Sequence, residues 1–195
     1  MPSHIWSKVM LIVLEGIDNV GKTTLIKHAK TEFPTWIYLS TEDWEKAGKP
    51  IPNTEKQIKT MEKFTGLMKN MYCRNAYLTK LVNRYIYDEG KHVIVDRLWL
   101  SFVIYSLGKD YPNYEIHKEN ILRVYTNLIM EFEKDKIELK KEDKGKKLYL
   151  TSLNKEYRFC TNSYHCDARL PVEDKLKILQ RIMLTKLRLV TPTFG

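Results

Sequence analysis

Eight consecutive residues, Gly16-Ile17-Asp18-Asn19-Val20-Gly21-Lys22-Thr23, place two glycines, a lysine and a threonine at the spacing G-x-x-x-x-G-K-T. That pattern reads as a phosphate-binding loop, and it works only between a buried parallel strand and a helix. Both neighbours are present. Val9-Met10-Leu11-Ile12-Val13-Leu14 is an unbroken apolar run, the mark of a strand buried on both faces. Residues from Lys22 to about Phe33 read as the helix. Gly16 and Gly21 let backbone amides face an anion, and the helix N-terminus adds its partial positive charge. In such a loop Asn19, Val20 and Thr24 complete the cradle. Lys22 reaches the terminal phosphates of a nucleotide, and the Thr23 hydroxyl holds a magnesium ion.

The remainder alternates as an α/β fold does. Short strands are expected at Trp36–Leu39, His92–Asp96, Lys147–Leu153 and Arg188–Thr191, giving with the first a mostly or fully parallel five-stranded sheet flanked by helices. A loop is expected over Ser40–Asn53. Helical periodicity then runs from Ile58 to Tyr85, long enough that Thr65-Gly66 divides it, and Gly90 closes it. Further helices are expected over Leu98–Leu107, from Pro112 with Ile121, Tyr125, Leu128 and Phe132 on one face, and from Pro171 with Leu176, Leu179, Met183 and Leu187 facing inward. Asn154–Leu170 reads as irregular. With 195 residues and no repeats or linkers, one domain over 1–195 is expected.

Composition excludes several classes. No apolar run approaches the ~20 residues of a membrane span. The polar start, Met1 to Lys8, does not read as a signal peptide. Three cysteines form no disulfide framework, so a reducing, cytoplasmic setting is expected. Cys160, His165 and Cys166 lack the spacing of a zinc site. The net charge is +9, from 33 Lys and Arg against 24 Asp and Glu. Much of the excess lies between Lys134 and Lys147, where both signs mix, which reads as a solvated helix end rather than a nucleic-acid surface.

Ligands of such sheets bind beyond the carboxyl ends of the strands. The loop, Asp96-Arg97 with Ser101 and Tyr105, and Glu42, Asp43 and Trp44 all fall there. The loop with Asp18, then Val93-Ile94-Val95-Asp96-Arg97 with Ser101 and Tyr105 downstream, resembles the thymidylate kinases. Arg74 matches that family's base-reading arginine in position. The resemblance covers about Val9 to Leu187. It implies a three-layer P-loop kinase sandwich, phosphoryl transfer from ATP with Mg2+ to a deoxynucleoside monophosphate, and a homodimer. It implies that Arg97 clamps the acceptor phosphate, Asp18 orients the acceptor sugar, and Tyr105 packs near the sugar 2′ carbon. It also implies that Asp96 holds the metal directly or through water. The lid would be about 154–170, with Arg158 or Arg169 neutralising transition-state charge. One family helix is expected to be absent at the C-terminus.

The pattern departs at Ser40-Thr41-Glu42-Asp43-Trp44, where the family has an arginine and a proline. Thr41-Glu42 near a tryptophan is similar to deoxynucleoside kinases, in which that glutamate is a general base for a sugar hydroxyl. Asn70 stands where the family often has an aromatic to stack on the base, with Tyr72 a substitute. The acceptor base therefore stays open, dTMP or a related pyrimidine nucleotide being first choice. Three alternatives remain: a nucleoside kinase using Glu42, a nucleic-acid-directed protein, and a non-catalytic nucleotide binder.

Overall fold

The computed structural model describes residues 9–106, 113–133, 137–140 and 145–188. In chain order the elements are β1 (Leu11–Glu15), α1 (Lys22–Glu32), β2 (Ile37–Leu39), α2 (Thr41–Lys46), α3 (Glu55–Met61) and α4 (Gly66–Asn83). A π-helical turn, Arg84–Asp88, extends α4. Then follow β3 (Val93–Asp96), α5 (Trp99–Ser106), α6 (Tyr114–Val124), β4 (Thr126–Glu131), α7 (Lys147–Arg158), β5 (Tyr164–Asp167) and α8 (Val172–Arg188). The five strands are all parallel, in the order β2-β3-β1-β4-β5, as the α/β reading anticipates.

Alternate residues of the central strands enter opposite cores. Ile12, Leu14 and Ile94 pack with Leu25 and Ala29 of α1 and with Leu179 of α8. Val13, Val93 and Val95 pack with Leu78 and Val82 of α4. All three residues Ile12–Leu14 are essentially inaccessible, which is why β1 reads as a continuous apolar run rather than an alternating one. Leu14 is level with Asp96 on one side and Leu128 on the other, so the carboxyl ends of β1, β3 and β4 form one rim. The chain order reverses about β1, and the loop leaves the sheet there.

Several local expectations are corrected. The Ser40–Asn53 loop contains α2, opened by a capping box: the Glu42 N–H donates to Ser40 Oγ at 3.3 Å, and the Ser40 N–H donates to Asp43 at 2.8 Å. Leu128 and Phe132 do not continue the helix that carries Ile121. Tyr125 turns extended at the end of α6, and Thr126–Glu131 becomes β4, with Asn127 to Met130 buried on both faces. Lys147–Leu153 is helical rather than extended. Leu150, Leu153 and Tyr157 are buried at helical spacing, while Leu148 is exposed. Asn154–Leu170 is not irregular: it holds the end of α7 and the edge strand β5. Arg188 ends α8, and the rest of the expected last strand lies outside the described residues, as do Leu107 and Pro112. The division at Thr65-Gly66 falls where the sequence suggests, with α4 starting at Gly66.

Candidate active site

A cleft of about 440 Å3 opens at the rim of β1 and β3. The loop lines it with Asp18, Asn19, Gly21, Lys22, Thr23 and Thr24. β3 contributes Asp96 and the residue after it, Arg97, and Lys140 enters from the stretch between β4 and α7.

The loop owes its path to its glycines. Gly16 has φ +136, and a Cβ there would run into the Met130 carbonyl of β4. Gly21 has φ +92 and opens α1 without any side-chain cap or first-turn acid. The first amides of α1 are thus left for an anion. Val20 is buried and contributes backbone, its carbonyl accepting from Lys175 Nζ at 3.2 Å. Lys175, on α8, also donates to the Ala168 carbonyl at 2.6 Å, so one buried ammonium braces the loop from behind.

Lys22 is buried and donates to the carbonyls of Gly16 (3.2 Å) and Ile17 (2.8 Å). Burial, and then the Arg97 charge, draw its pKa down to about 7, while Asp96, Asp18 and Glu15 pull the other way. Arg97 adopts a left-handed backbone, φ 63. Its guanidinium donates to Asp18 Oδ1 at 2.6 Å and to the Tyr105 hydroxyl at 2.8 Å. Burial works against the Arg97 charge, but Tyr157, Tyr105, Asp18 and Glu15 more than compensate and its pKa rises. Burial pushes the Tyr105 hydroxyl up to about 12.

Asp96 Oδ1 is buried and accepts no hydrogen bond from the protein. A carboxylate oxygen left in that state, in a cleft that Thr23 also lines, suits a hard cation with oxygen ligands. These two residues fit Mg2+.

Arg74 is buried on α4, outside the cleft lining. It donates to Asn75 Oδ1 through Nε (3.0 Å) and Nη2 (2.8 Å), and to Thr41 Oγ1 through Nη1 (3.2 Å). Burial and then the charge of Arg97 lower its pKa, as expected of two crowded guanidiniums that favour a neighbouring anion.

Other expected site residues fall elsewhere. Ser101 is fully buried and turned from the cleft, its hydroxyl bonded to Glu15 and Tyr157. Glu42 is mostly exposed and pairs with Lys46 at 3.7 Å; Thr41 is the α2 residue that faces Arg74. Arg158 is exposed on the last turn of α7, away from the cleft lining. Arg169 is engaged by Asp167 (2.7 Å) and Glu133 (3.5 Å). His165 bridges Glu131 and the Cys160 carbonyl.

No protein-family model matches the chain. Thymidylate kinase of Mesoplasma florum is 28% identical over 135 residues, 64% of this chain and 63% of that protein. Thymidylate kinase of Mycoplasma genitalium is 31% identical over 109 residues, 53% of this chain and 51% of that protein. Over these stretches the chain is similar to thymidylate kinases. It spans between half and two thirds of the length of these curated relatives. A solved structure, the YorR protein of Bacillus subtilis in complex with phosphorylated GDP, matches with a TM-score of 0.53 at 17% identity. The match covers 93% of this chain and 99% of that one, and at that identity it establishes the shared fold alone.

Sequence reasoning assigned no role of their own to Glu15, Thr41, Lys140 and Lys175. Glu15 adjoins the motif and was open to notice. The others reach the site only through tertiary contacts, and Lys140 is one lysine in a run of them.

Proposed function

We propose that this chain transfers the terminal phosphate of ATP to a deoxynucleoside monophosphate, dTMP or a related pyrimidine nucleotide being the first candidate acceptor. The observation that carries this reading is the meeting of Lys22 and the glycine loop with the Arg97–Asp18 pair in one cleft. A donor cradle and an acceptor clamp side by side are what phosphoryl transfer needs, since it depends on alignment and charge neutralisation.

Lys22 exchanges the Gly16 and Ile17 carbonyls for donor phosphate oxygens. The α1 amides hold the same phosphates. Arg97 grips the acceptor phosphate, for which its planar donor fork is suited, and Asp18 and Tyr105 hold Arg97 in place. Asp18 is also within the cleft to meet the acceptor sugar. The new bond forms between an acceptor phosphate oxygen and the γ-phosphorus as the bond to ADP breaks. No base is required, because a phosphate monoester with a second pKa near ~6 is already largely ionised. Thr23 and Asp96 would hold Mg2+, which would supply charge neutralisation for the phosphates. Lys140, which lines the same cleft, is a further cation for the phosphates.

The exposure of Glu42 and its pairing with Lys46 weigh against the nucleoside kinase alternative. Incubation with Mg-ATP and separate nucleosides, monophosphates and oligonucleotides, with ADP release as the signal, tests the reading. Turnover with monophosphates is expected. Turnover with nucleosides alone, or with oligonucleotides alone, overturns it. Lys22→Ala is expected to lower the rate by at least ~100-fold.

A homodimer, implied by the likeness to thymidylate kinases, belongs to the same proposal; a monomeric mass by light scattering at micromolar protein rejects it. No helix among the described residues is long and apolar enough to cross a membrane. The free, buried Cys73, Cys160 and Cys166 accord with a reducing, cytoplasmic setting, which fractionation of expressing cells tests.

A further inference from the structure

Glu15 ends β1 and stands outside the cleft lining, yet its carboxylate is completely buried and receives several protein donors. Oε1 accepts from the Leu98 N–H at 3.1 Å and the Ser101 N–H at 3.4 Å. Oε2 accepts from the Ser101 hydroxyl and from the Tyr157 hydroxyl at 3.3 Å. A carboxyl in such a place is costly, and burial pushes its pKa up. The donors from Ser101 and Leu98, with the charges of Arg97 and Lys22, oppose that rise. Packing alone would be served at lower cost by an apolar side chain of similar volume.

The donors come from two places that matter to the reaction. Leu98 and Ser101 open α5 immediately after Arg97. The Arg97 N–H donates to the Leu14 carbonyl at 2.9 Å, and Asn75 Nδ2 donates to the Leu98 carbonyl at 2.8 Å. The turn that presents Arg97 in its left-handed conformation is therefore held at successive peptide groups, one of them by Glu15. On its other side Glu15 is bonded directly to Gly16, the first residue of the phosphate loop. Tyr157 ties α7 to the same carboxylate. One side chain thus joins the loop that holds the donor to the turn that carries the acceptor clamp.

We propose that Glu15 is a positioning residue for phosphoryl transfer, acting through Leu98 and Ser101 to hold Arg97 in line with the Lys22 loop. The inference rests on the kinase reading above. It concerns how two half-sites are held at a fixed separation, and Glu15 itself touches neither substrate.

Glu15→Gln tests it, because an amide offers one acceptor oxygen in place of two, so either the Leu98 and Ser101 N–H groups or the Ser101 and Tyr157 hydroxyls lose the acceptor they now share, and the hydroxyls must turn to accept from the amide. The expected result is a kcat lowered ~10–100-fold with the KM for ATP within about twofold of wild type. A ligand that spans both half-sites, adenosine joined through five phosphates to thymidine, is expected to bind at least ~10-fold more weakly, because its affinity depends on the separation. Should Glu15→Gln fail to fold, Tyr157→Phe and Ser101→Ala each remove one donor, and each is expected to lower kcat about 3–10-fold at an unchanged KM for ATP.

Variants with a lowered melting temperature but wild-type kcat, KM values and spanning-ligand affinity overturn the inference and leave Glu15 a structural residue. A wild-type protein that turns over no monophosphate and does not bind the spanning ligand overturns the kinase reading and this inference together. The two failures are distinguished by the wild-type control.

Discussion

The ammonium of Lys22 rests on two carbonyls of its own loop, and burial holds its pKa near 7. Polyphosphate in the cleft favours the charged form, so binding above that pH draws a proton from solution. Between about pH 7.5 and 9, where the nucleotide phosphates are fully ionised, ATP affinity is expected to fall as pH rises, by at most ~10-fold per unit. Calorimetry in two buffers of different ionisation enthalpy counts the proton; zero uptake at pH 8.5 removes the depressed pKa from the account. Asp96 makes a separate prediction from its unpartnered oxygen. Asp96→Asn is expected to raise the Mg2+ concentration for half-maximal rate ~10–100-fold while leaving the KM for the acceptor near wild type. An unchanged Mg2+ titration takes Asp96 out of the metal site.

At the scale of elements, β1, the loop and β4 interlock. Gly16 carries a positive φ and lies against the Met130 carbonyl, so Gly16→Ala is expected to cost about 2–4 kcal/mol of stability and to distort the cradle. Chemical denaturation measures the first, and a wild-type midpoint contradicts it. This part of the molecule was the most legible from sequence, because glycine spacing and an apolar run each have a local cause. The split before α4 was legible for the same reason. The failures share the opposite property. No glycine or proline separates α6 from β4, and the helical spacing of Ile121 and Leu128 continues through the boundary by coincidence. Exposed Leu148 and Tyr149 made α7 look like a strand, since nothing in sequence says which apolar residues face outward. The candidate site divides in the same way. Lys22, Thr23, Asp96 and Arg97 belong to short patterns. Glu15 meets its partners across 83 to 142 residues of chain, and Lys140 lines the cleft from a stretch far from the loop in sequence.

For the molecule as a whole, a cleft that binds Mg-ATP only when folded ties stability to ligand. At ATP near 100 times its dissociation constant the gain is about 2.7 kcal/mol. For a chain of this size that corresponds to a rise in melting temperature of roughly 5–10 °C. Thermal scans with and without Mg-ATP measure it, and no shift at saturating nucleotide contradicts a formed site. The chain's charge of +9 adds a salt dependence to the same measurement, with weaker stabilisation at high ionic strength. Lys175 has a different consequence. It reaches from the last helix to the back of a loop formed near the start of the chain. The glycine motif is therefore not a portable part. A fragment ending before α8 keeps every residue of G-x-x-x-x-G-K-T and forfeits the strut beneath it. Transplanting the motif into another scaffold without an equivalent ammonium would carry over its spelling without its shape.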